Sequence, residues 1–345
     1  MNPYILLTTL SCLGLGTLMT VSSSNWLLAW MGLEVSTMAI LPIMSKLHHP
    51  RAVEATTKYF LVQAAAAATM LFASLINANA SGDWNLTATN EPLAAFLLTS
   101  ALSLKLGIAP LHTWMPEVLQ GLDLVTALIV STWQKLAPFS LLVQCNAPHQ
   151  LTLILGVTSI LVGGWGGLNQ TQTRKILAYS SIAHLGWMIV VSSISPSLSF
   201  FTLILYFSMT TTMFMSLHLS NGLNINTLAS VWTKNPFVAA TLPLVLMSLA
   251  GLPPLSGFSP KWMIISELAN QSLIMLASSI ALAALISLFF YLRLSYYSAL
   301  TLTPNSALPP ASWRTSTPKT ALLPLSLAPS ILILPISPAI LSCIT

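Results

Sequence analysis

Eleven apolar stretches, each long enough to cross a bilayer, dominate this sequence. A helix that crosses the hydrocarbon layer needs ~20 mainly apolar residues. We place such spans at about residues 3–21, 25–45, 56–77, 93–111, 122–143, 149–168, 175–195, 198–219, 237–269, 271–293 and 321–342. The ninth is too long for one straight crossing, and the eleventh contains four prolines. The pattern predicts an all-α polytopic membrane protein with about eleven transmembrane helices.

The composition supports this prediction and argues against several other classes. Hydrophobic residues make up 55% of the chain and charged residues 6%, whereas a soluble domain carries about 25% charged residues. The three cysteines form no CxxC pair, so we expect no zinc or iron–sulfur site. No GxGxxG sequence is present, and the basic residues form no patch for nucleic acid. MNPYILLTTL leads directly into the first span, so we expect no cleaved leader.

Basic residues outside the membrane core gather on one side. Nine Lys or Arg residues lie in or beside the loops after even-numbered spans, and none lies in the loops after odd-numbered spans. The nine are Lys46, Arg51, Lys58, Arg174, Lys175, Lys234, Arg293, Arg314 and Lys319. Because basic loops mark the side from which a membrane protein inserts, we expect these loops and the N-terminus to share one face of the membrane.

Four charged residues lie inside the predicted spans and away from the span ends: Glu34, Lys105, Lys135 and Lys261. A charge at the bilayer centre costs ~3 kcal/mol on insertion scales, so each needs a physical reason. Each lysine stands within five residues of a proline, and proline frees a backbone carbonyl in a helix. Freed groups at membrane depth are tolerated only inside protein or beside water. The sequence therefore predicts a hydrated polar interior that the lysines face.

The two clearest breaks, around Lys105–Pro110 and Gly251–Lys261, lie in spans four and nine. A repeat of five spans inverts its second copy, and interrupted helices at matching positions of inverted halves indicate a transport site. We predict a single transmembrane domain over residues 1–345, with repeat one at about 1–145 and repeat two at about 148–295. A C-terminal helix follows at about 321–342. The sequence similarity between LKLGIAP and GFSPK is weak, so this prediction depends on the separation of the two breaks by five spans.

The buried charges are typical of a proton path, although structural roles stay open. Burial disfavours the charged form of an amine, and a nearby carboxylate favours it. Glu34 is the only deep carboxylate, so a lysine paired with it can be switched. Alternatively, Glu34 bonds a neighbouring helix, the lysines snorkel, or Lys261 caps a half-helix. His184 fits a proton relay or a packing role equally, and His112 fits a proton group or an interfacial residue.

Five stretches resemble the antiporter-like subunit family of mitochondrial NADH:ubiquinone oxidoreductase (respiratory complex I), in particular its subunit 2 branch. They are HHPRAVEATTKYFLVQA, LKLGIAPLHTWMPEVLQG, STWQKLAP, RKILAYSSIAHLGWM and GLPPLSGFSPKW. The family is similar to the cation/proton antiporter subunits of multi-subunit exchangers. Its bacterial members have fourteen spans around two inverted five-helix repeats, and its animal members lack the first three, which agrees with eleven here.

The resemblance implies roles for the intramembrane residues. Glu34 corresponds to the family glutamate that pairs with a lysine on the first broken helix, here Lys105. Lys135 corresponds to the central lysine of the next helix, and Lys261 to the lysine of the second broken helix. The family histidine corresponds to His184. The implied path runs Glu34–Lys105–Lys135–Lys261 through water.

The resemblance also implies an activity, a location and partners. The chain would be a subunit of a translocase that couples NADH-to-ubiquinone electron transfer to proton translocation, without redox chemistry of its own. FMN, iron–sulfur clusters and ubiquinone would be bound by other subunits. The chain would lie in the mitochondrial inner membrane with its N-terminus and basic loops in the matrix. Its neighbours would be subunits 4, 4L and 6, accessory subunits and lipids. A stand-alone cation/proton antiporter and a purely structural subunit remain alternatives.

Overall fold

A computed structural model describes residues 3–46, 48–89, 91–145, 147–234, 236–300 and 322–344. These residues form helices and turns without a β-strand. The helices are α1 (Pro3–Ser22), α2 (Trp26–Met44), α3 (Pro50–Ser81), α4 (Pro92–Leu106), α5 (Trp114–Gly121), α6 (Leu124–Ser131), α7 (Trp133–Gln144), α8 (His149–Gly167), α9 (Thr173–Ser192), α10 (Pro196–Ser220), α11 (Ile225–Ala229), α12 (Val231–Lys234), α13 (Pro236–Ala250), α14 (Phe258–Asn270), α15 (Ile274–Ala299), α16 (Leu322–Leu332) and α17 (Ser337–Ile344). The predicted all-α fold is confirmed.

Within the described ranges, eight helical segments are long and apolar enough to cross a membrane. A ninth is the pair Leu323–Leu332 and Leu334–Cys343, which is bent by 67°. The shorter apolar helices α4 and α13 form the first halves of the two predicted broken spans. All eleven predicted spans therefore correspond to helical segments. The last differs from the prediction, because its prolines bend it where a single helix was expected.

In both broken spans, the first half-helix ends with the same backbone motif. α4 is followed by Gly107 with φ +78°, and α13 by Gly251 with φ +81°, a conformation that glycine adopts without strain. The amide after each glycine bonds the carbonyl five residues earlier, at 3.0 Å in the first break and 3.3 Å in the second. This is the Schellman termination. Aligning the two glycines pairs the sequence LGIAP of the first break with AGLPP of the second. This alignment differs from the one between LKLGIAP and GFSPK that was considered from the sequence.

The fifth predicted span is also interrupted, just before Lys135. α6 ends at Ser131 and α7 begins at Trp133, because Thr132 departs from helical geometry with φ −114° and ψ −72°. The Thr132 hydroxyl donates to the carbonyl of Leu128 at 2.7 Å. Together the two helices form one crossing of 21 residues. Lys135 thus lies in the first turn after a distortion at Thr132, whereas only a nearby proline was expected from the sequence.

Most of the described basic residues lie at helix ends. α3 begins at Pro50, six residues earlier than predicted, so it includes Arg51 and Lys58. Arg174 and Lys175 lie in the first turn of α9, and Arg293 lies near the end of α15. Lys46 occupies the turn after α2 and Lys234 ends α12. Arg314 and Lys319 lie outside the described residues.

The chain divides into two compact units, Met1–Thr158 and Ser159–Thr345. In the first unit, α1 and α2 cross at Gly16 and Gly32. A Cβ at Gly16 would lie 2.8 Å from the Gly32 carbonyl oxygen, and one at Gly32 would lie 2.9 Å from the Gly16 carbonyl oxygen. In the second unit, most residues of α9 are buried. α9 is therefore the central helix on which that unit's site is built.

Candidate functional site

In the first unit, Lys105 and Glu34 form an ion pair at membrane depth. The Lys105 Nζ lies 4.0 Å from the Glu34 Oε1, and the two side chains are 2% and 23% exposed. Among the described residues, the Lys105 Nζ has no hydrogen-bond partner. The Thr37 hydroxyl donates to the Glu34 carbonyl at 2.9 Å and lies 3.5 Å from the Glu34 Oε2. The pair is held by charge rather than by a short hydrogen bond.

Two side chains cover the carbonyls that the first break frees. The Gln63 side-chain amide donates to the carbonyl of Lys105 at 3.3 Å, and the Trp114 indole donates to the carbonyl of Leu104 at 3.0 Å. The last carbonyls of a helix have no partner within the helix and must find one elsewhere. Trp114 also packs edge-on against Tyr59, with ring centroids 5.7 Å apart. The end of α4, and with it Lys105, is therefore fixed.

A small cavity joins Lys105 to Lys135. It lies among α2, α3, α4 and α7, and its lining includes Tyr59, Gln63 and Gln134 as well as the two lysines. It has room for about one water molecule. Lys135 is 3% exposed, and the neighbouring Gln134 amide donates to the carbonyl of Ser36 at 3.1 Å. The geometry thus brings three predicted residues, Glu34, Lys105 and Lys135, into one cluster.

His112 lies apart from that lining. It occupies the segment between α4 and α5, is half-buried, and its carbonyl accepts from the amide of Met115 at 3.0 Å. The structure therefore places His112 in the break but not on the surface of the cavity.

In the second unit, Lys261 reaches back across the second break. It lies in the first turn of α14, and its Nζ donates to the carbonyl of Ala250 at 2.7 Å. The side chain runs so close to Gly251 that a Cβ there would lie 2.9 Å from both the Lys261 Cδ and Nζ. The ammonium also lies 6.0 Å from the centroid of the Trp187 ring, within the usual range of a cation–π contact.

His184 lines the same cavity as Lys261. The cavity has room for about one or two water molecules. The Tyr291 hydroxyl on α15 lies 3.4 Å from the His184 Nε2, and the ring of Tyr206 on α10 lies 5.6 Å from the imidazole. Tyr291 bonds Ser180, which is one turn before His184 on α9. Lys261 and His184 therefore form a second cluster, with two phenols beside it.

The uncharged polar members of both clusters were not predicted from the sequence. Gln63 and Gln134 in the first unit and Tyr206 and Tyr291 in the second contribute to the sites, yet none carries a charge. The available signal for such residues is a single amide or phenol inside an apolar run. Gln63 is an example, because it is the one polar residue in FLVQAAAAA. Tyr179, which is close to His184 in sequence, instead places its ring against Gly166.

Residues 23–287 match the family model described as NADH:quinone oxidoreductase/Mrp antiporter, TM. The chain belongs to this family. Residues 288–341 match a second model, NADH dehydrogenase subunit 2 C-terminus. The matched range of the antiporter family contains every intramembrane charge and both histidines described above. The family resemblance drawn from the sequence is thus confirmed, and the chain is an integral membrane protein.

Full-length relatives belong to the subunit 2 branch of the family. NADH-ubiquinone oxidoreductase chain 2 of Carassius auratus is 57% identical over 349 residues and covers 100% of both chains. The protein of the same name from Salmo salar is 55% identical over 350 residues, again with 100% coverage of both. That of Squalus acanthias is 55% identical over 343 residues and covers 99% of both.

Solved structures extend the family likeness to bacteria. A chain of respiratory complex I from Thermus thermophilus superposes with a TM-score of 0.82 at 28% identity, covering 97% of this chain and 80% of that one. A chain of the Mrp complex from Dietzia sp. superposes with a TM-score of 0.76 at 17% identity, covering 97% of this chain and 74% of that one. The second match shows a shared fold alone.

Proposed function

We propose that this chain is a core membrane subunit of respiratory complex I that couples electron transfer from NADH to ubiquinone to proton translocation. Relatives named as chain 2 of the NADH–ubiquinone oxidoreductase are similar along the full length. The observation that carries the proton role is the arrangement of three buried or half-buried lysines beside two small cavities. No redox step is assigned to this chain. Among its described residues, no three His, Cys, Asp or Glu side chains lie close enough to hold a metal.

Glu34 and Lys105 form the switch in this proposal. At 4.0 Å the carboxylate stabilises the ammonium through charge, and no hydrogen bond from the Lys105 Nζ to a described residue opposes its release. When redox work elsewhere moves charge near Glu34, Lys105 is freed. The freed positive charge then acts on Lys135, which lines the same cavity. Like charges in one small buried cavity disfavour each other, so a proton leaves Lys135.

Lys261 and His184 form the receiving cluster. Both line the second cavity, and either group can hold a proton there. In the proposal, the proton that leaves Lys135 in the first cluster passes to Lys261 in the second. His112 belongs to it as an additional proton-accepting group in the first break. Because its imidazole lies off the cavity lining, we expect a smaller contribution from His112 than from Lys135.

The proposal extends to repeats, partners and location. The shared termination of the two broken helices supports inverted repeats at about 1–145 and 148–295. We propose that FMN, iron–sulfur clusters and ubiquinone are bound by other subunits. Subunits 4, 4L and 6, accessory subunits and lipids would be the neighbours. We propose that the chain lies in the mitochondrial inner membrane. Because the basic residues gather in loops on one side, we place these loops and the N-terminus in the matrix.

Substitution of Lys135 tests the proton role. In the assembled complex, Lys135→Met should lower the coupled rate of NADH oxidation and proton translocation by about tenfold or more, as loss of a proton-transfer group does. Lys58→Met is the matched control, because Lys58 is 42% exposed and pairs with surface carboxylates of Glu54 and Glu117. Proton uptake and NADH oxidation are measured together in proteoliposomes. An unchanged ratio and rate in Lys135→Met would remove this residue from the path.

A stand-alone cation/proton antiporter is the second candidate, favoured by the shared fold with the Mrp complex chain. Native gel separation of mildly solubilised membranes distinguishes the two. Co-migration of the chain with a large band that oxidises NADH supports complex I. Migration as a small species without that activity supports the antiporter. A third role, structural only, predicts normal translocation in every lysine variant that assembles.

A further inference from the structure

Arg293 lies between two cavities of the second unit that the proton path does not use. One, named here the polar cavity, has a volume of about 490 Å³ and is lined mostly by residues with polar side chains, among them Gln172, Asn224, Asn226 and Tyr297. The other is an open, almost wholly apolar groove of about 610 Å³ on α13 and α15. Arg293 lines both. A polar cavity next to an apolar groove, with one cation between them, matches an amphipathic ligand.

The groove has the position and the apolar lining to hold part of a lipid chain. Phe289 and Tyr296 line it and are 58% and 56% exposed, so it opens to the surface of the chain. It follows α15 from Phe289 to Leu300, and the part on the membrane side of Arg293, from Phe289 to Arg293, is about 6 Å long at the rise of an α-helix. Tyr296 lies near the helix end, where aromatic residues gather at headgroup level.

The charge of Arg293 is not neutralised within the described part of the chain. Its two terminal nitrogens donate to the carbonyls of Leu168 and Gln170, both at 2.6 Å, and no described carboxylate pairs with it. Its Nε is buried without a hydrogen-bond partner among the described residues. Arg174 and Lys175 follow Gln172 in the sequence, with only Thr173 between. The cavity therefore favours an anionic ligand.

We propose that this pair of cavities binds an anionic phospholipid, with its phosphate at Arg293 in the polar cavity and an acyl chain in the groove. The phosphate accepts from the Arg293 guanidinium and the Asn226 amide, and the acyl chain covers Phe289 and Leu292. The net negative headgroup is favoured by the unneutralised arginine and the basic start of α9. The proposal depends on the chain lying in a membrane and is independent of its role in proton translocation.

Asn226 offers a test that leaves the fold intact, because its side chain is exposed in the cavity lining. Asn226→Asp places a carboxylate where the phosphate binds, and Asn226→Ser is the neutral control. The purified assembly that contains the chain is incubated with phosphatidylglycerol or phosphatidylcholine, and retained lipid is counted by native mass spectrometry. Asn226→Asp should retain about fivefold less phosphatidylglycerol than Asn226→Ser, from ~1 kcal/mol per unit charge at the surface. Retention of phosphatidylcholine should change little.

A second variant probes the groove. Leu292→Trp fills it without touching the polar cavity and should lower the retention of both lipids. Equal retention of phosphatidylglycerol by Asn226→Asp and Asn226→Ser would overturn the proposal. A photo-crosslinker at position 296 that captures another protein chain in place of lipid would overturn it too.

Discussion

Lys105 precedes the glycine of its break by two residues, whereas Lys261 follows its glycine by ten. The first therefore ends a half-helix, and the second lies in the half-helix beyond the break. Lys105 faces the Glu34 carboxylate at 4.0 Å, while Lys261 donates to the carbonyl of Ala250 at 2.7 Å. One ammonium is held by a charge that can move or be neutralised. The other is held by the fixed negative end of a helix.

This difference assigns different tasks to two breaks that share one backbone motif. A lysine held by a carboxylate responds whenever the carboxylate moves or takes up a proton. A lysine held by a backbone carbonyl responds only to charges arriving from elsewhere, because the carbonyl cannot titrate. Under the proposed function, the first break would start the proton step and the second break would receive the proton.

The largest expected effect comes from removing Lys105. Lys105→Met leaves Glu34 without its ion pair, and we expect coupled turnover to fall by about tenfold or more, since an ion pair at this distance contributes several kcal/mol at intermediate dielectric. The double variant Glu34→Gln/Lys105→Met should be no slower than Lys105→Met alone, because the two residues act as one unit. Turnover is measured as NADH-driven proton uptake in proteoliposomes. Additive losses in the double variant would show that Glu34 acts on something besides Lys105.

The two glycines give the next comparison. Gly107→Ala and Gly251→Ala both force an alanine into positive φ, at a cost of about 1–2 kcal/mol. At Gly251 the new Cβ also meets Lys261 at 2.9 Å, whereas at Gly107 it meets Met115 and Trp114 at 3.2 Å. We expect similar losses of thermal stability but a several-fold greater loss of proton translocation in Gly251→Ala. Assembly by native gel and coupled turnover are measured for both. Equal turnover in the two variants would mean that the Lys261–Ala250 contact is dispensable.

The smallest effect concerns the phenol beside His184. Tyr291→Phe removes a hydroxyl that lies 3.4 Å from the His184 Nε2, and a hydrogen bond that long contributes at the low end of ~0.5–1.5 kcal/mol. We expect a two- to threefold lower coupled rate, to be measured across pH, with normal assembly. Tyr4→Phe is the control, because Tyr4 is 78% exposed and lines none of the cavities described above. A coupled rate in Tyr291→Phe equal to that of the control at every pH would exclude the phenol from the path.

The sequence was sufficient to predict the membrane fold and the positions of both breaks. Long apolar runs, glycine and proline act locally, so their effects can be inferred without knowing which helices touch. Lys105, Lys135 and Lys261 were found for the same reason: a charge inside an apolar run is conspicuous in one dimension. The bend of the last span and the distortion at Thr132 were missed, because several prolines and one threonine leave the local outcome undecided.

Apart from Glu34, the groups that surround the lysines and His184 could not be predicted from the residues alone. Gln63 reaches the end of α4 across 42 positions of sequence, and Tyr291 reaches His184 across 107. Such contacts depend on how helices pack, and packing leaves no periodic signal for a single glutamine or tyrosine in an apolar run. The carbonyl of Ala250 as the partner of Lys261 likewise depends on the path of the chain through the break.

The close crossing of α1 and α2 has a mechanical consequence. Gly32 lies two residues before Glu34, and its contact with Gly16 leaves no room for a methyl group on either side. α2 cannot slide along α1 without breaking this close backbone contact, so the backbone near Glu34 is held in place. Changes in the distance between Glu34 and Lys105 must then come from rotation about the side-chain bonds of these two residues. If the pair acts as proposed, its first step would need side-chain rotation only and no displacement of a helix.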